Sequence, residues 1–185
     1  RKLTRMLINE LHLNVDVSGS GPVIMALHGF TGDMRMWESF ILATRGEYMV
    51  VQVDMLGHGM SDVPVDPARY RMERCIEDLA AILDRLDVGQ VHWLGYSMGG
   101  RVALSAALAL PGRTSAVIIE GGSPGLALYE ERESRARSDE SLASWIEKVG
   151  IDEFVAYWEA LPLFTSQARL SLETRESLRR MRLCN

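Results

Sequence analysis

Residues Gly95–Gly100, with the sequence Gly-Tyr-Ser-Met-Gly-Gly, carry the strongest structural signal in the chain. An apolar run, Val91–Leu94, precedes this segment, and an alanine- and leucine-rich run, Val102–Leu110, follows it. A G-x-S-x-G motif between a strand and a helix forms a sharp turn that lifts the serine hydroxyl clear of a sheet. The motif therefore predicts a strained backbone at Ser97 and an accessible, nucleophilic Oγ.

Two more short apolar runs, Val23–Leu27 and Tyr48–Val53, lie upstream, and a glycine-containing loop follows each of them. Runs of this length are typical of strands buried on both faces of a parallel sheet. Between the second run and Val91–Leu94, apolar residues recur at helical spacing over Tyr70–Leu86, and Gly89 is placed to end this helix. The alternation of strands and helices predicts an α/β sheet.

The two ends of the chain extend this pattern. Residues Arg5–Val17 alternate apolar and polar side chains before the turn cluster Ser18–Pro22, which predicts an N-terminal hairpin. Ala116–Ile119 predicts a fourth parallel strand. From residue 129 onward the chain is densely charged and then carries Trp, Phe and Leu at helical intervals, which predicts helices lying over the sheet. We therefore expect a core over residues 1–128 and a helical cap over residues 129–185.

Composition restricts the classes of partner. The 185 residues are 47% hydrophobic and carry 20 basic and 25 acidic side chains, for a net charge of −5. The basic residues do not segregate, which argues against nucleic acid. No run approaches the roughly 18 apolar residues that cross a bilayer, and the start lacks the apolar stretch of a secretion signal, so we expect a cytoplasmic protein. The spacing of Cys75 and Cys184 favours neither a disulfide framework nor a metal site.

Two loops upstream of Ser97 complete the pattern. His28–Gly32, with the sequence His-Gly-Phe-Thr-Gly, follows the first buried strand, and Asp54–Asp62 follows the next. His28 lies beside a turn, which favours an orienting hydrogen bond over a role as catalytic base, and His58 is interpreted as a loop histidine. In this order and spacing, the three segments resemble the α/β-hydrolase superfamily over nearly the whole chain. The resemblance implies a mostly parallel sheet, flanking helices and a helical cap.

The resemblance also implies an oxyanion hole. Family members supply one donor from the loop after the first buried strand, which here is the N–H of Phe30, and Gly29 permits the close approach. The helix that begins after Ser97 points its first N–H groups at the same place, so we expect Met98 to provide the second donor.

Several segments are similar to a narrower family, the 2-succinyl-6-hydroxy-2,4-cyclohexadiene-1-carboxylate synthases of menaquinone biosynthesis. Enzymes of this kind remove pyruvate from a cyclohexene precursor, use the hydrolase triad as a base and need no cofactor. The resemblance therefore implies a lyase for a small polycarboxylate. The similar segments are His28–Gly32, Gly95–Arg101, Glu120–Leu126, Glu131–Arg132, Arg135–Asp139 and Trp158–Phe164.

The same resemblance implies a set of substrate-binding residues and no metal ligand. Guanidinium groups bind carboxylates through two parallel hydrogen bonds, which suits a substrate with several carboxylates. Without the family, each arginine would be interpreted as a solvated surface residue and each aromatic residue as an apolar contact of a cap helix. The implied residues are Tyr96, Arg101, Arg135, Trp158, Phe164 and Arg182.

The sequence departs from the family pattern in its histidines. A complete hydrolase places an acid and a histidine after the cap, whereas all histidines here, which are His12, His28, His58 and His92, precede Ser97. Glu120 lies where some hydrolases carry the acid, but in this family we expect it to be structural. Without a base, a serine of normal pKa is a weak nucleophile.

We therefore expect the 185 residues to be the N-terminal part of an enzyme, with the C-terminal strands missing and no activity alone. The strand Ala116–Ile119 should then present an unpaired apolar edge that is open to self-association. Two other functions stay open. One is a carboxylesterase or carbon–carbon bond hydrolase of the same fold, and the other is a non-catalytic binding module that kept the pocket.

Overall fold

The computed structural model describes residues 2–44 and 46–184. The chain forms two compact units, one reaching to Pro124 and the other spanning Gly125–Cys184. The first unit contains a six-stranded sheet with helices, and the second consists of helices and turns. No helix within the described ranges is long and apolar enough to cross a membrane.

The sheet has the spatial order β1-β2-β4-β3-β5-β6. β1 and β2 form the predicted antiparallel hairpin, and β2 pairs antiparallel with β4. The remaining neighbours are parallel, which confirms the mostly parallel sheet. The strands are β1 (Lys2–Ile8), β2 (Leu11–Gly19), β3 (Val23–Leu27), β4 (Met49–Val53), β5 (Val91–Tyr96) and β6 (Thr114–Glu120).

The helices of the first unit are α1 (Glu38–Thr44), α2 (Met72–Arg85) and α3 (Met98–Ala109). The prediction that Gly89 ends α2 is wrong. Asp87 adopts the left-handed conformation instead, with a φ of 53°, and the N–H of Val88 donates to the carbonyl of Leu83 at 2.9 Å. Aspartate tolerates this region of φ/ψ space better than most side chains, so the chain turns out of the helix at Asp87, two residues before the glycine.

The second unit contains α4 (Tyr129–Val149), α5 (Ile151–Glu159), a run of 3₁₀ turns over Pro162–Arg169, and α6 (Leu172–Arg182). The helical character predicted from residue 129 onward is therefore present. Gly150 separates α4 from α5 with a φ of 83°.

The main core lies between the sheet and helices α2 and α3. From the sheet it takes apolar residues such as Met25, Val51 and Trp93, which are fully buried. From α3 it takes Ala103 and Ala106, whose small side chains let the helix lie close to β5. This packing holds the first turn of α3 directly after the carboxyl end of β5, where the chain passes through Ser97.

β6 forms one edge of the sheet and, among the described strands, pairs with β5 alone. Its apolar side chains remain accessible: Val117 is 36%, Ile118 51% and Ile119 39% exposed. The expected unpaired, apolar edge is therefore present. An exposed edge of this kind offers free backbone groups for pairing with another strand.

We expect the 185-residue chain to self-associate through β6, and Ile118→Lys to weaken this association because a charge on an edge strand opposes pairing. Leu108→Lys is the matched control, since Leu108 is 76% exposed on α3. Sedimentation velocity over a concentration series measures the effect. Equal association of the two variants, or a wild-type chain that stays monomeric at high concentration, would contradict this expectation.

Candidate active site

Ser97 lies on the turn between β5 and α3 with φ 52° and ψ −110°. A non-glycine residue in such a conformation costs about 1–3 kcal/mol, which the surrounding structure must supply. Its N–H donates to the carbonyl of Glu120 at 2.8 Å, and its carbonyl accepts from the N–H of Arg101 at 3.2 Å. The side chain makes no capping hydrogen bond to α3. The predicted strained turn is therefore present, and its hydroxyl is not used by the helix.

Two glycines around Ser97 explain why the turn needs small residues. A Cβ on Gly95 would collide with the backbone of Gly99. A Cβ on Gly99 would collide with the carbonyl oxygens of Leu27 and His28, at the end of β3. The first turn of α3 therefore packs backbone against backbone on β3, which leaves Ser97 no relaxed conformation.

The loop after β3 lies against the nucleophile turn. A Cβ placed on Gly29 would be 2.8 Å from Cδ1 of Tyr96 and 3.4 Å from Cβ of Ser97. Phe30 follows Gly29 directly, and Met98 is the first residue of α3, whose N–H has no partner within the helix. This placement supports Phe30 and Met98 as oxyanion donors, and that role stays a prediction.

His28 joins two loops beneath this site. Its side chain is fully buried, its Nδ1 lies 2.9 Å from the carbonyl of Gly29, and its Nε2 accepts from the N–H of Met55 at 3.0 Å. These partners require the neutral imidazole with the proton on Nδ1. Burial, and then the nearby His58, lower the pKa of His28 from 6.5 to about 4. Both ring nitrogens are occupied, so His28 positions the loops, as its place beside the turn predicted.

His58 lies beside His28 and Phe30. Its ring centroid is 4.9 Å from that of His28 and 6.1 Å from that of Phe30. Its Nδ1 is 3.2 Å from the carbonyl of Leu56. Burial also lowers the pKa of His58, so this histidine is neutral near pH 7.

Asp54 organises the loop that holds Met55, a role that the sequence pattern did not indicate. One carboxylate oxygen accepts from the N–H of Met34 at 2.8 Å. The other accepts from the side-chain amide of Asn14 at 2.8 Å and from the N–H of Met60 at 3.0 Å. The signal in the sequence is an aspartate directly after a buried strand, in a loop with two glycines, where Gly59 leaves no room for a side chain beside the carboxylate.

Tyr96 and Arg101 flank Ser97 within the same unit. Tyr96 is half-buried, with its ring against Gly29 and Gly121. Arg101 is exposed on the first turns of α3, and its guanidinium makes no ion pair with any residue in the part of the chain that the structure describes. Arg101 is therefore available for an anion.

Arg135 belongs to the second unit and is exposed on α4. Its Nε donates to Asp139 at 2.7 Å, one helical turn further on. Exposed pairs of this kind contribute little to stability, and a bidentate carboxylate ligand can compete for the guanidinium.

The aromatic residues and the last arginine of the predicted set meet within the second unit. The ring centroids of Trp158 and Phe164 are 5.9 Å apart, and the Arg182 guanidinium lies 5.0 Å from the Phe164 centroid. Arg182 is buried and donates to Glu159 at 2.9 Å and to Gln167 at 3.1 Å. These partners tie α6 to α5, which is a structural contribution that the sequence did not reveal. Binding of substrate by the three residues stays a prediction.

Within residues 2–44 and 46–184, no group of three or more His, Cys, Asp or Glu side chains is arranged to hold a metal ion.

Known proteins share the fold of this chain. The family model of the alpha/beta hydrolase fold matches residues 22–167, and the chain belongs to this family.

Within that family, the chain is similar to proteins of one kind. It is 42% identical over 173 residues to a putative 2-succinyl-6-hydroxy-2,4-cyclohexadiene-1-carboxylate synthase from Bacillus subtilis, covering 91% of this chain and 63% of that protein. The structure of MenH from S. aureus matches with a TM-score of 0.86 at 32% identity, covering 91% of this chain and 65% of that chain. A hydrolase from Pseudomonas aeruginosa matches with a TM-score of 0.84 at 26% identity, covering 99% of this chain and 67% of that one. The chain thus spans less than two thirds of the length of the curated relative.

Because α3 packs closely on β3 at Gly99, we expect Gly99→Ala to destabilise the fold strongly. The added methyl group overlaps two carbonyl oxygens that cannot move without shifting β3, so we expect the free energy of unfolding to fall by about 3 kcal/mol, the upper end of the usual cost of overpacking. Gly89→Ala is the matched control, because nothing lies within 4 Å of its Cβ position. Urea unfolding measures both, and equal stabilities would refute the close contact.

Because His28 is buried in its neutral form, we expect the free energy of unfolding to decrease as the pH is lowered. The unfolded chain takes up a proton at this histidine near pH 6.5, whereas the folded chain takes it up near pH 4, so the native state is penalised as pH falls between these values. We expect wild type to lose about 3 kcal/mol more than His28→Gln between pH 7 and pH 4. Urea unfolding at several pH values measures the difference, with His12→Gln as an exposed control. Parallel pH profiles for wild type and His28→Gln would show that His28 is not held neutral.

Proposed function

We propose that the protein containing this chain is a carbon–oxygen lyase of menaquinone biosynthesis. Its reaction eliminates pyruvate from 2-succinyl-5-enolpyruvyl-6-hydroxy-3-cyclohexene-1-carboxylate and yields 2-succinyl-6-hydroxy-2,4-cyclohexadiene-1-carboxylate. The observation that carries the proposal is the 42% identity, over 91% of this chain, to the B. subtilis protein named for that product. The strained Ser97 turn supplies the reactive group that such chemistry needs.

The two structural formulas define the chemical step. The precursor has one ring double bond, at carbons 3 and 4, and the product has two, at carbons 2 and 3 and at carbons 4 and 5. Carbon 2 therefore loses a proton, the existing double bond shifts, and the bond between carbon 5 and the enolpyruvyl oxygen breaks. The leaving group departs with the electron pair as the enolate of pyruvate, which takes up one proton at carbon and becomes pyruvate. Because carbon 2 carries the succinyl ketone, its proton is acidic and its conjugate base is an enolate.

The proposed roles follow from this step. Oγ of Ser97 removes the proton from carbon 2. The N–H groups of Phe30 and Met98 donate hydrogen bonds to the ketone oxygen as negative charge develops on it. Because α3 begins at Met98, its N-terminal dipole favours the same charge.

Ser97 needs a partner that accepts its proton, since an un-ionised hydroxyl is a weak base. His28 cannot serve, because both of its ring nitrogens are engaged. His92 lies on β5 with its ring against Tyr48, and His12 lies on β2 beside Asp62. We propose that the histidine, with its acid, belongs to a part of the whole protein outside these 185 residues, and that the 185 residues alone are inactive.

The substrate carries three carboxylates, which suits recognition by arginine. We propose that Arg101 and Arg135 bind carboxylates, that Tyr96, Trp158 and Phe164 contact the ring and succinyl chain, and that Arg182 contributes at the periphery. The Arg101 guanidinium, which has no ion-pair partner among residues 2–44 and 46–184, supports the first of these assignments. The reaction needs neither metal nor organic cofactor, since the ketone itself stabilises the carbanion. We further propose a cytoplasmic enzyme without a nucleic-acid partner.

A hydrolytic reaction is the second candidate. A strained serine with oxyanion donors is also the apparatus of a carboxylesterase or carbon–carbon bond hydrolase, and the similarity to the P. aeruginosa hydrolase favours keeping this candidate.

We expect Ser97→Ala in the whole protein to reduce pyruvate release by about 10³-fold or more, because the triad residues act as a unit. Ser105→Ala, two turns along α3, is the matched control and should retain activity. A coupled assay of pyruvate release from the cyclohexene precursor measures both variants. Full activity of Ser97→Ala would exclude Ser97 as the base.

Two comparisons separate the alternatives. Turnover of simple aryl esters with no pyruvate release would favour the hydrolase, and tight binding of the precursor without turnover would favour a binding module. Comparable pyruvate release by the 185-residue chain and by the whole protein would show that a histidine already described, with His58 the first to test, serves as the base.

Arg135→Ala should lower kcat/KM. The expected loss of transition-state stabilisation is about 1.5–3 kcal/mol, the scale of a hydrogen bond to a charged group. Arg137→Ala is the control, because Arg137 is also exposed on α4 and pairs with Glu133 at 3.7 Å. Steady-state kinetics with the precursor measure the two variants. If Arg135→Ala and Arg137→Ala changed kcat/KM equally, or if Arg135→Ala left it unchanged, Arg135 would not belong to the substrate site.

A further inference from the structure

A cavity of about 200 Å³ lies inside the sheet unit, on the side of α3 that faces α2. Methionine and aliphatic side chains form most of its wall, among them Met55, Met72, Met98 and Val102. Met98 contributes its side chain to this cavity, while its backbone N–H begins α3 beside Ser97. His58 also lines the cavity, and the proposed lyase reaction assigns no step to its side chain.

The ionisable groups on the wall are either neutral or paired. Burial lowers the pKa of His58 and raises the pKa of Tyr70, so both side chains are uncharged near pH 7. Asp78, which is 2% exposed, accepts from Arg69 at 3.0 and 3.1 Å and from Asn9 at 2.9 Å. Burial raises the pKa of the Cys75 thiol to about 12, so this side chain is uncharged. A ligand with its own charge would therefore lose hydration without gaining a free partner.

The size and flexibility of the cavity define the ligand further. An apolar cavity of about 150 Å³ in another protein stays dry and binds benzene, whereas pockets for drug-sized molecules begin near about 300 Å³. A volume between these values fits one substituted ring. Methionine side chains adapt their shape to a planar ring and make favourable contacts between sulfur and aromatic groups.

We propose that this cavity binds a neutral, single-ring aromatic molecule. The inference rests on the volume and wall of the cavity and is independent of the proposed lyase activity. Because Met98 joins the cavity wall to the start of α3, a bound ring packs directly beneath the residue whose N–H lies beside Ser97.

Methionine methyl groups test the proposal directly, with toluene as the probe. The chain has ten methionines, so ¹³C-methyl labelling reports on the cavity and on the rest of the molecule together. We expect saturable shifts of Met55, Met72 and Met98, and none at the exposed Met60 or at Met181 in the second unit. Shifts that grow linearly at all methionines would show non-specific solvent effects and overturn the proposal.

Benzoate provides the matched ligand, because it has the same ring with a negative charge. We expect no saturable shift with benzoate. Tighter binding of benzoate than of toluene would show that Arg69 makes an anion site, which contradicts a neutral ligand.

Val102→Phe provides a control variant, since the larger side chain fills the cavity. We expect the Kd of toluene to rise by at least about tenfold. Circular dichroism verifies that the variant folds, and Cys75→Leu, on another part of the wall, provides a second way to fill the space. Unchanged toluene binding in a folded, filled variant would overturn the proposal.

Discussion

Gly99 lies against the carbonyl oxygens of Leu27 and His28, in a space that no side chain could share. This backbone-to-backbone contact joins the start of α3 to the end of β3, and most of the site follows from it. The chain leaving β5 has too little room for a relaxed turn, so Ser97 takes a positive φ. The same contact brings the Gly29 loop against the Ser97 side chain. The energy stored at the serine is supplied by the buried core between the sheet and α3.

A second layer of buried polar groups holds the loops in place. His28 bridges Gly29 and Met55, and Asp54 gathers backbone and side-chain donors from three separate segments. Such groups would be costly if left unpaired, so each one specifies a single arrangement of the loops. The histidine nearest to the oxyanion loop therefore has a structural role, and proton transfer at Ser97 requires another base.

Much of the sheet could be predicted because strands buried on both faces are continuous apolar runs, as in Val23–Leu27 and Val91–Leu94. The G-x-S-x-G segment predicted Ser97 because its glycines are sterically required. Helix α1 was not predicted, since it has only seven residues and none of them is fully buried. The partners of Arg182 depend on Glu159 and Gln167, which are distant in sequence, so its burial could not be inferred from composition. The role of Asp54 could not be predicted, because it depends on tertiary contacts that the sequence around this loop aspartate does not indicate.

We propose that the strained Ser97 turn and the neighbouring Gly29 loop aim the N–H groups of Met98 and Phe30 at the ligand oxygen that becomes charged. A crystal structure of the whole protein, with a keto acid bound at Ser97, tests it most directly. We expect a positive φ at Ser97 and one ligand oxygen within about 2.7–3.1 Å of both the Phe30 and Met98 nitrogens. A negative φ at Ser97, or a ligand oxygen that reaches only one of the two nitrogens, would contradict it.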